Sequence, residues 1–131
     1  MAQETLNIAE MSTQFSVSHR TLRFYEDKGL LSPVRLGMSR HYTKRDGVRL
    51  KLILQWKKYG FALDEIRHLL DLYETDGGAL AQAQYLRRLA NTRREELEEE
   101  RDKLNDTLKN LSALNSELTK VKGVCNSQTA A

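Results

Sequence analysis

Hydrophobic positions recur at helical spacing near the start of the chain, and capping residues mark two short helices. Asn7, followed three residues later by Glu10, predicts the start of the first helix. Ser18 is placed to cap a second helix that runs to about Lys28. The apolar side of the first helix would hold Ile8, Ala9, Met11 and Phe15. Two short helices joined by a tight turn at residues 15–17 are typical of a helix-turn-helix.

The helical pattern stops at Val34 and returns after Thr43. Residues 34–36 and 40–42 flank Gly37 without helical periodicity, which predicts a β-hairpin. Thr43 and Asp46 then predict a capped helix that extends to about residue 59. Its apolar positions are Val48, Leu52, Trp56 and Tyr59. A fourth helix is predicted over residues 63–73, and the glycine pair at 77 and 78 predicts a hinge.

One long helix is predicted from about residue 80 to residue 121. Its leucines lie seven residues apart, with further seam positions between them, as in a coiled coil. The predicted seam comprises Leu97, Arg101, Leu104, Leu108, Leu111, Asn115 and Leu118. Because this seam is too narrow and too long for a small domain to cover, it requires a partner helix. We therefore expect a compact domain over residues 1–76, a dimerisation helix over residues 79–122, and a flexible tail over residues 123–131.

Charge and composition limit the classes of function. Residues 19–58 hold 11 lysines and arginines against three acidic residues, a net charge of +8. This segment suits a polyanionic partner, although a solvated basic surface would have the same composition. A single cysteine, Cys125, cannot form an internal disulfide. With no membrane-spanning run, no signal-peptide pattern and no catalytic or cofactor motif, we expect a cytoplasmic protein that is not an enzyme and needs no cofactor.

The run from Thr21 to Pro33, TLRFYEDKGLLSP, is the most specific motif in the chain. It combines basic and aromatic side chains on a short helix that Gly29 would end. The run resembles the recognition helix of the MerR family of bacterial transcription regulators, and the similarity extends over residues 6–73. It implies a mainly α fold, a winged helix-turn-helix DNA-binding domain followed by a long antiparallel dimerisation coiled coil.

Two further segments refine this resemblance. The stretch YGFALDEI at residues 59–66 looks like the second-wing junction of the family, although Ala62 replaces the usual serine and is a poor cap. Residues 73–78 and the long helix resemble a subgroup that controls branched-chain amino acid and acyl-CoA breakdown. The metal-sensing branch carries several cysteines after the long helix, where this chain has only Cys125.

The resemblance places candidate DNA contacts in three groups. The second helix would present Ser18, His19, Arg20, Thr21, Arg23 and Tyr25, the hairpin region Arg35, Arg40, His41, Tyr42 and Lys44, and the second junction Lys57, Lys58 and Tyr59. We expect His19 and Arg20 to read bases, and Arg23 and Tyr25 to hold phosphates.

Several of these side chains have a second interpretation. Tyr42 could instead close the hairpin on the third helix, while Trp56 and Phe61 are expected to be core residues rather than ligand contacts. Arginines at 87, 88, 93 and 94 could bind the phosphates of an acyl-CoA or could pair with neighbouring glutamates.

Together these features predict a homodimeric regulator that binds a palindromic promoter site. The resemblance implies that it distorts the DNA, acts with RNA polymerase at the same promoter, and responds to a small metabolite such as an acyl-CoA. The alternatives are a metal- or redox-responsive regulator of the same family, a coiled-coil adaptor whose basic domain binds a partner protein, and an architectural DNA-binding protein without an effector.

Overall fold

The computed structural model describes residues 4–124. Its elements, in chain order, are α1 (Ile8–Phe15), α2 (His19–Asp27), β1 (Val34–Leu36), β2 (Ser39–His41), α3 (Lys44–Lys58), α4 (Leu63–Tyr73) and α5 (Gly78–Thr119). The chain divides into two compact units, one ending at Ala90 and the other beginning at Asn91. None of the helices within the described residues combines the length and the apolar character needed to cross a membrane.

Local hydrogen bonds fix the helix starts at the predicted residues. Asn7 and Glu10 form the expected capping box at α1, with bonds of 2.9 and 3.0 Å. Thr43 and Asp46 form a second capping box at α3. At α4, Ala62 offers no side-chain cap, but its backbone N–H donates to Glu65 Oε1 at 2.8 Å. The helix therefore begins at Leu63 without a capping hydroxyl.

The strands pair as a short antiparallel hairpin. Arg35 lies opposite Arg40 in the ladder, and Gly37 takes the positive φ of +64° in the turn. The second strand ends at His41, one residue before the predicted end. Tyr42 instead forms a bridge with Leu6, in which the two backbones exchange hydrogen bonds of 2.7 and 2.9 Å. Leu6, which lies before α1, thus packs against the core.

The hydrophobic core of the first unit lies among α1 to α4. It is formed by the buried residues Met11, Leu22, Tyr25, Leu30, Leu31, Tyr42, Leu50, Ile53, Trp56, Phe61, Ile66, Leu69 and Leu70. Trp56 and Phe61 are therefore core residues, as expected. From α5, Tyr85, Leu86 and Leu89 pack against this cluster. The first unit consequently includes the beginning of the long helix.

The buried face of α3 differs from the predicted one. Val48 and Tyr59 are more than half exposed, whereas Arg49, Leu50 and Ile53 are buried. Hydrophobic periodicity did not predict this face because two of its positions, Asp46 and Arg49, are charged. The Asp46 carboxylate accepts the Ser32 backbone N–H at 3.0 Å, and Arg49 Nε donates to Leu30 O at 2.8 Å. Both buried charges thus have the polar partners that burial requires.

The junction between α4 and α5 depends on two glycines. Gly77 has a φ of +67°, which favours glycine. Gly78 begins α5 so close to the end of α4 that a Cβ there would lie 2.2 Å from Leu72 O and 2.5 Å from Tyr73 O. The glycine pair predicted as a hinge therefore permits a close backbone contact.

Candidate nucleic-acid interface

Helix α2 has one face in the core and an opposite face that is basic. Leu22 is fully buried and Tyr25 nearly so, which fixes the orientation of the helix. Arg20 and Arg23 lie three residues apart and project from the exposed side. His19, at the first turn, is also exposed. Three predicted DNA contacts are therefore available on the surface of a short helix that the core holds in place.

The predicted contacts Ser18 and Thr21 form the cap of α2. Ser18 Oγ accepts the Thr21 backbone N–H at 3.0 Å and donates to Thr21 Oγ1 at 2.9 Å. These bonds satisfy an N–H group that the first turn of a helix leaves free. Both side chains therefore stabilise the end of the helix from which His19 and Arg20 project.

Glu26 joins α2 to the hairpin. Its carboxylate accepts hydrogen bonds from Arg35 at 2.6 Å and from Arg40 at 2.8 Å, one on each strand. Burial raises the pKa of Glu26, but the hydrogen bonds and positive charges of Arg40 and Arg35 outweigh burial and hold that pKa below its usual value. The hairpin is thus attached to the same helix that carries the exposed arginines.

Glu26 was not among the residues predicted from the sequence. One feature of the sequence could have indicated its role. Glu26 is one of three acidic residues in the strongly basic segment at 19–58, where it has arginines as available partners. The two hairpin arginines predicted as DNA contacts prove to be its partners. The Arg35 side chain keeps 59% of its surface exposed and the Arg40 side chain 26%. Arg35 in particular remains accessible while it orients the hairpin.

The remaining predicted contacts of the hairpin region and the second junction differ in exposure and position. His41 is partly buried, and its Nδ1 lies 3.4 Å from Thr5 Oγ1. Lys44 is exposed at the first turn of α3. Lys57 and Lys58 are exposed in the last turn of the same helix, about 20 Å along its axis from Lys44. The lysines of α3 that were predicted as DNA contacts therefore lie at the two ends of the helix.

Three aromatic residues predicted as DNA contacts have different surroundings. Tyr42 is fully buried, and its hydroxyl has no hydrogen-bond partner among the described residues. Burial raises the pKa of Tyr42, and the neighbouring Glu26 charge adds to this effect. Tyr25 is also in the core, where burial raises its pKa. Tyr59 remains exposed and packs edge-on against Phe61, with ring centroids 5.8 Å apart.

This burial changes the expectation for two of these residues. The Tyr42 ring closes the hairpin on the core and leaves no exposed side-chain surface, in agreement with the alternative that the sequence left open. The Tyr25 ring also packs in the core, and its phosphate contact stays a prediction. In both cases a large aromatic surface is removed from water, which stabilises the folded chain more than an exposed position would.

Within residues 4–124, no group of three or more His, Cys, Asp or Glu side chains is arranged to hold a metal ion. Cys125, the candidate from the sequence, lies outside the described residues. The exposed side chains of this surface include arginine, lysine and histidine donors, which suit phosphate oxygens and base edges.

Comparison with known proteins identifies the family. A family model described as "MerR HTH family regulatory protein" matches residues 6–73, and one described as "MerR, DNA binding" matches residues 48–114. The chain is 33% identical over 110 residues to the HTH-type transcriptional regulator HmrR of Rhizobium leguminosarum bv. viciae, and the match covers 83% of each chain.

Two solved structures have similar folds. The lead(II) complex of the regulator PbrR691 from Ralstonia metallidurans CH34 is 28% identical, with a TM-score of 0.54 over 77% of this chain and 83% of that one. HiNmlR, a MerR family regulator lacking the sensor domain and bound to promoter DNA, is 22% identical, with a TM-score of 0.62 over 90% of this chain and 95% of that one. The helix-turn-helix and the two family matches together show that the chain belongs to the MerR family of DNA-binding transcription regulators.

Proposed function

We propose that this regulator is a homodimer that binds a palindromic promoter site through α2 and the hairpin. The observation that carries the proposal is the exposed basic face of α2, attached to the hairpin by Glu26. In this arrangement His19 and Arg20 contact base edges in the major groove, and Arg23 contacts phosphate. The hairpin acts as a wing beside the recognition helix. The DNA backbone is bound by Arg35, Lys44, Lys57 and Lys58.

Dimerisation is assigned to α5. Its leucines at positions 97, 104, 108, 111 and 118 are each between 44% and 61% exposed in the single chain. A repeated apolar stripe on one helix favours pairing with a second copy, with Asn115 as a polar position in the seam. The family resemblance implies that this pairing is antiparallel. Two copies related by a two-fold axis would place two α2 helices on the two halves of a palindrome.

Control of transcription would then follow from DNA distortion. A dimer that binds two half-sites can bend and untwist the DNA between them. Contacts with the DNA backbone offset the deformation energy. The distorted promoter would present a different geometry to RNA polymerase. Footprinting on the region upstream of the protein's own gene, with and without polymerase, tests both parts of this proposal.

Separate roles for Arg20 and Arg23 provide the sharpest test. We expect Arg20→Ala to weaken binding to the cognate site by about 1–3 kcal/mol and to relax base preference. Arg23→Ala should weaken all sequences to a similar extent, because a phosphate contact carries no sequence information. Lys109→Ala, which removes a charge from α5, serves as the control. Binding titrations on cognate and scrambled duplexes decide the outcome, and unchanged base preference in Arg20→Ala contradicts its role.

A small metabolite is the proposed effector, and the subgroup resemblance points to an acyl-CoA. Two of the four candidate arginines have acidic neighbours, since Arg93 lies 3.1 Å from Glu96 and Arg94 lies 3.6 Å from Glu98. Arg88 lies over the Tyr85 ring, 5.5 Å from its centroid. An effector must bind one DNA-binding state more tightly than the other. Operator affinity measured with a panel of short acyl-CoAs tests this, and an unchanged affinity rejects the acyl-CoA.

The similarity to lead-bound PbrR691 favours a metal-responsive regulator as the second candidate. One thiolate for each chain, Cys125, is a poor basis for a selective site, so a metal would need ligands from both copies. Operator binding of the wild type and Cys125→Ser should be compared with zinc, copper and lead. A metal response that Cys125→Ser abolishes would support this candidate over the metabolite.

A further inference from the structure

The first compact unit contains a cavity of about 580 Å³ between α3, α4 and the beginning of α5. Val48, Leu52, Leu70 and Tyr73 provide apolar walls. The volume lies within the range of sites that bind small molecules. The proposed contacts with DNA and with a second copy do not use these walls, so they have no assigned role.

Two arginines border the apolar walls. Arg49 is only 6% exposed, and its Nε is held by Leu30 O at 2.8 Å. Arg45 lies one helical turn before it on α3 and is about half exposed. A guanidinium as buried as that of Arg49 requires a nearby anion, because an unpaired buried charge is unfavourable.

Glu74 supplies that anion from within the chain. Its Oε1 accepts from Arg45 Nε at 2.7 Å and lies 3.4 Å from Arg49 Nη1. Asp71, at 3.7 Å from Arg49 Nη2, is more distant and more exposed. One carboxylate oxygen therefore faces two guanidinium groups at the edge of an apolar cavity.

We propose that this cavity binds a small monocarboxylic acid with an aliphatic or aromatic body. The apolar body would lie along Val48 and Leu52, and the carboxylate would replace that of Glu74 on Arg45 and Arg49. Two arginines next to an apolar wall match both parts of such a ligand, since carboxylates are the preferred partners of guanidinium groups. An acyl-CoA lacks the free carboxylate that this site would bind, because its acid group is masked as a thioester.

Glu74 connects the cavity to the rest of the molecule. It is the C-cap residue of α4 and stands four residues before Gly78, where α5 begins. A ligand that displaces its carboxylate would release the segment that joins the two helices. Use of the cavity as an effector site rests on the proposed function, whereas ligand binding itself does not.

Titration calorimetry on the full chain without DNA tests the site directly. The probes are hexanoate, octanoate and phenylacetate, and octanol serves as the control without a carboxylate. We expect the acids to bind and octanol to bind at least tenfold more weakly. Arg45→Gln should weaken octanoate about tenfold, the effect of losing one charged hydrogen bond. Glu74→Gln should strengthen octanoate binding, because it removes the competing carboxylate.

Two further variants distinguish loss of the binding site from loss of the folded structure. Val48→Trp places bulk on an exposed position at the cavity wall and should abolish binding in a chain that unfolds at the wild-type temperature. Arg67→Gln removes an exposed arginine of α4 that does not line the cavity and should leave binding unchanged. Absence of acid binding in both the wild type and Glu74→Gln overturns the site, as does equal binding by Arg45→Gln. Operator binding without any acid tests the proposed function separately.

Discussion

Glu26 and Arg49 show how single charged residues determine the geometry of this domain. Glu26 connects α2 with both strands of the hairpin, and Arg49 connects α3 with the segment after α2. Each charge is largely removed from water and is balanced by partners that lie nine or more residues away. These contacts decide where the basic side chains lie relative to one another.

We expect Glu26→Gln to lower the free energy of unfolding by about 1–2 kcal/mol at neutral pH, because two charged hydrogen bonds are weakened. The pKa of Glu26 is lowered in the folded chain. Its contribution is therefore complete above the normal carboxyl range and is lost as the pH falls through the lowered pKa.

Urea unfolding of the wild type and Glu26→Gln at a series of pH values checks this prediction. The difference between the two proteins should shrink as the pH falls below about 4. Asp27→Asn removes a charge from the next residue and is the matched control. A difference that persists unchanged in acid would show that the carboxylate charge has no part in the contact.

Residues with local partners were predictable from the sequence, and those with distant partners were not. The caps formed by Asn7, Ser18 and Thr43 were predicted correctly because their hydrogen bonds reach only three residues along the chain. The role of Glu26 was not predicted because its partners lie nine and 14 residues away. Tyr42 was placed among the DNA contacts because its residue type fits both a phosphate contact and a core position.

At the scale of elements, five helices and the hairpin were predicted close to their observed limits. Helical periodicity, capping residues and glycine stops all depend on neighbouring positions, so the sequence indicates them directly. The buried face of α3 was wrong because Asp46 and Arg49 interrupt its apolar pattern. Their burial depends on Ser32, Leu30 and Glu74, which belong to other parts of the fold.

Helix α4 provides a prediction at this scale, because it begins without a capping side chain. Ala62→Ser should raise the free energy of unfolding by about 1 kcal/mol, since a serine hydroxyl could accept an N–H of the first turn. Ala62→Val, which has no hydroxyl, is the control. Thermal and urea unfolding measure the change, and equal stability of the serine and valine variants would contradict the capping argument.

At the scale of the whole molecule, the exposed leucines of α5 predict that the functional unit contains two chains. Leu108→Asp combined with Leu111→Asp would place carboxylates in the seam, where desolvation opposes them. We expect the double variant to sediment as a monomer or an unfolded chain. Asn110→Asp with Ala113→Asp adds the same charge to the opposite side of the helix and should remain dimeric. A dimeric seam variant would contradict this assignment of the interface.

The backbone contact at Gly78 has a consequence for the sequences that can encode this protein. Every other amino acid carries a Cβ, and here that atom would overlap Leu72 O at 2.2 Å. If the codon is randomised and clones are selected for promoter occupancy in cells, glycine alone should be recovered. Randomising Gly77 should also return asparagine, which tolerates a positive φ. The two adjacent glycines would thus differ sharply in how much genetic variation each accepts.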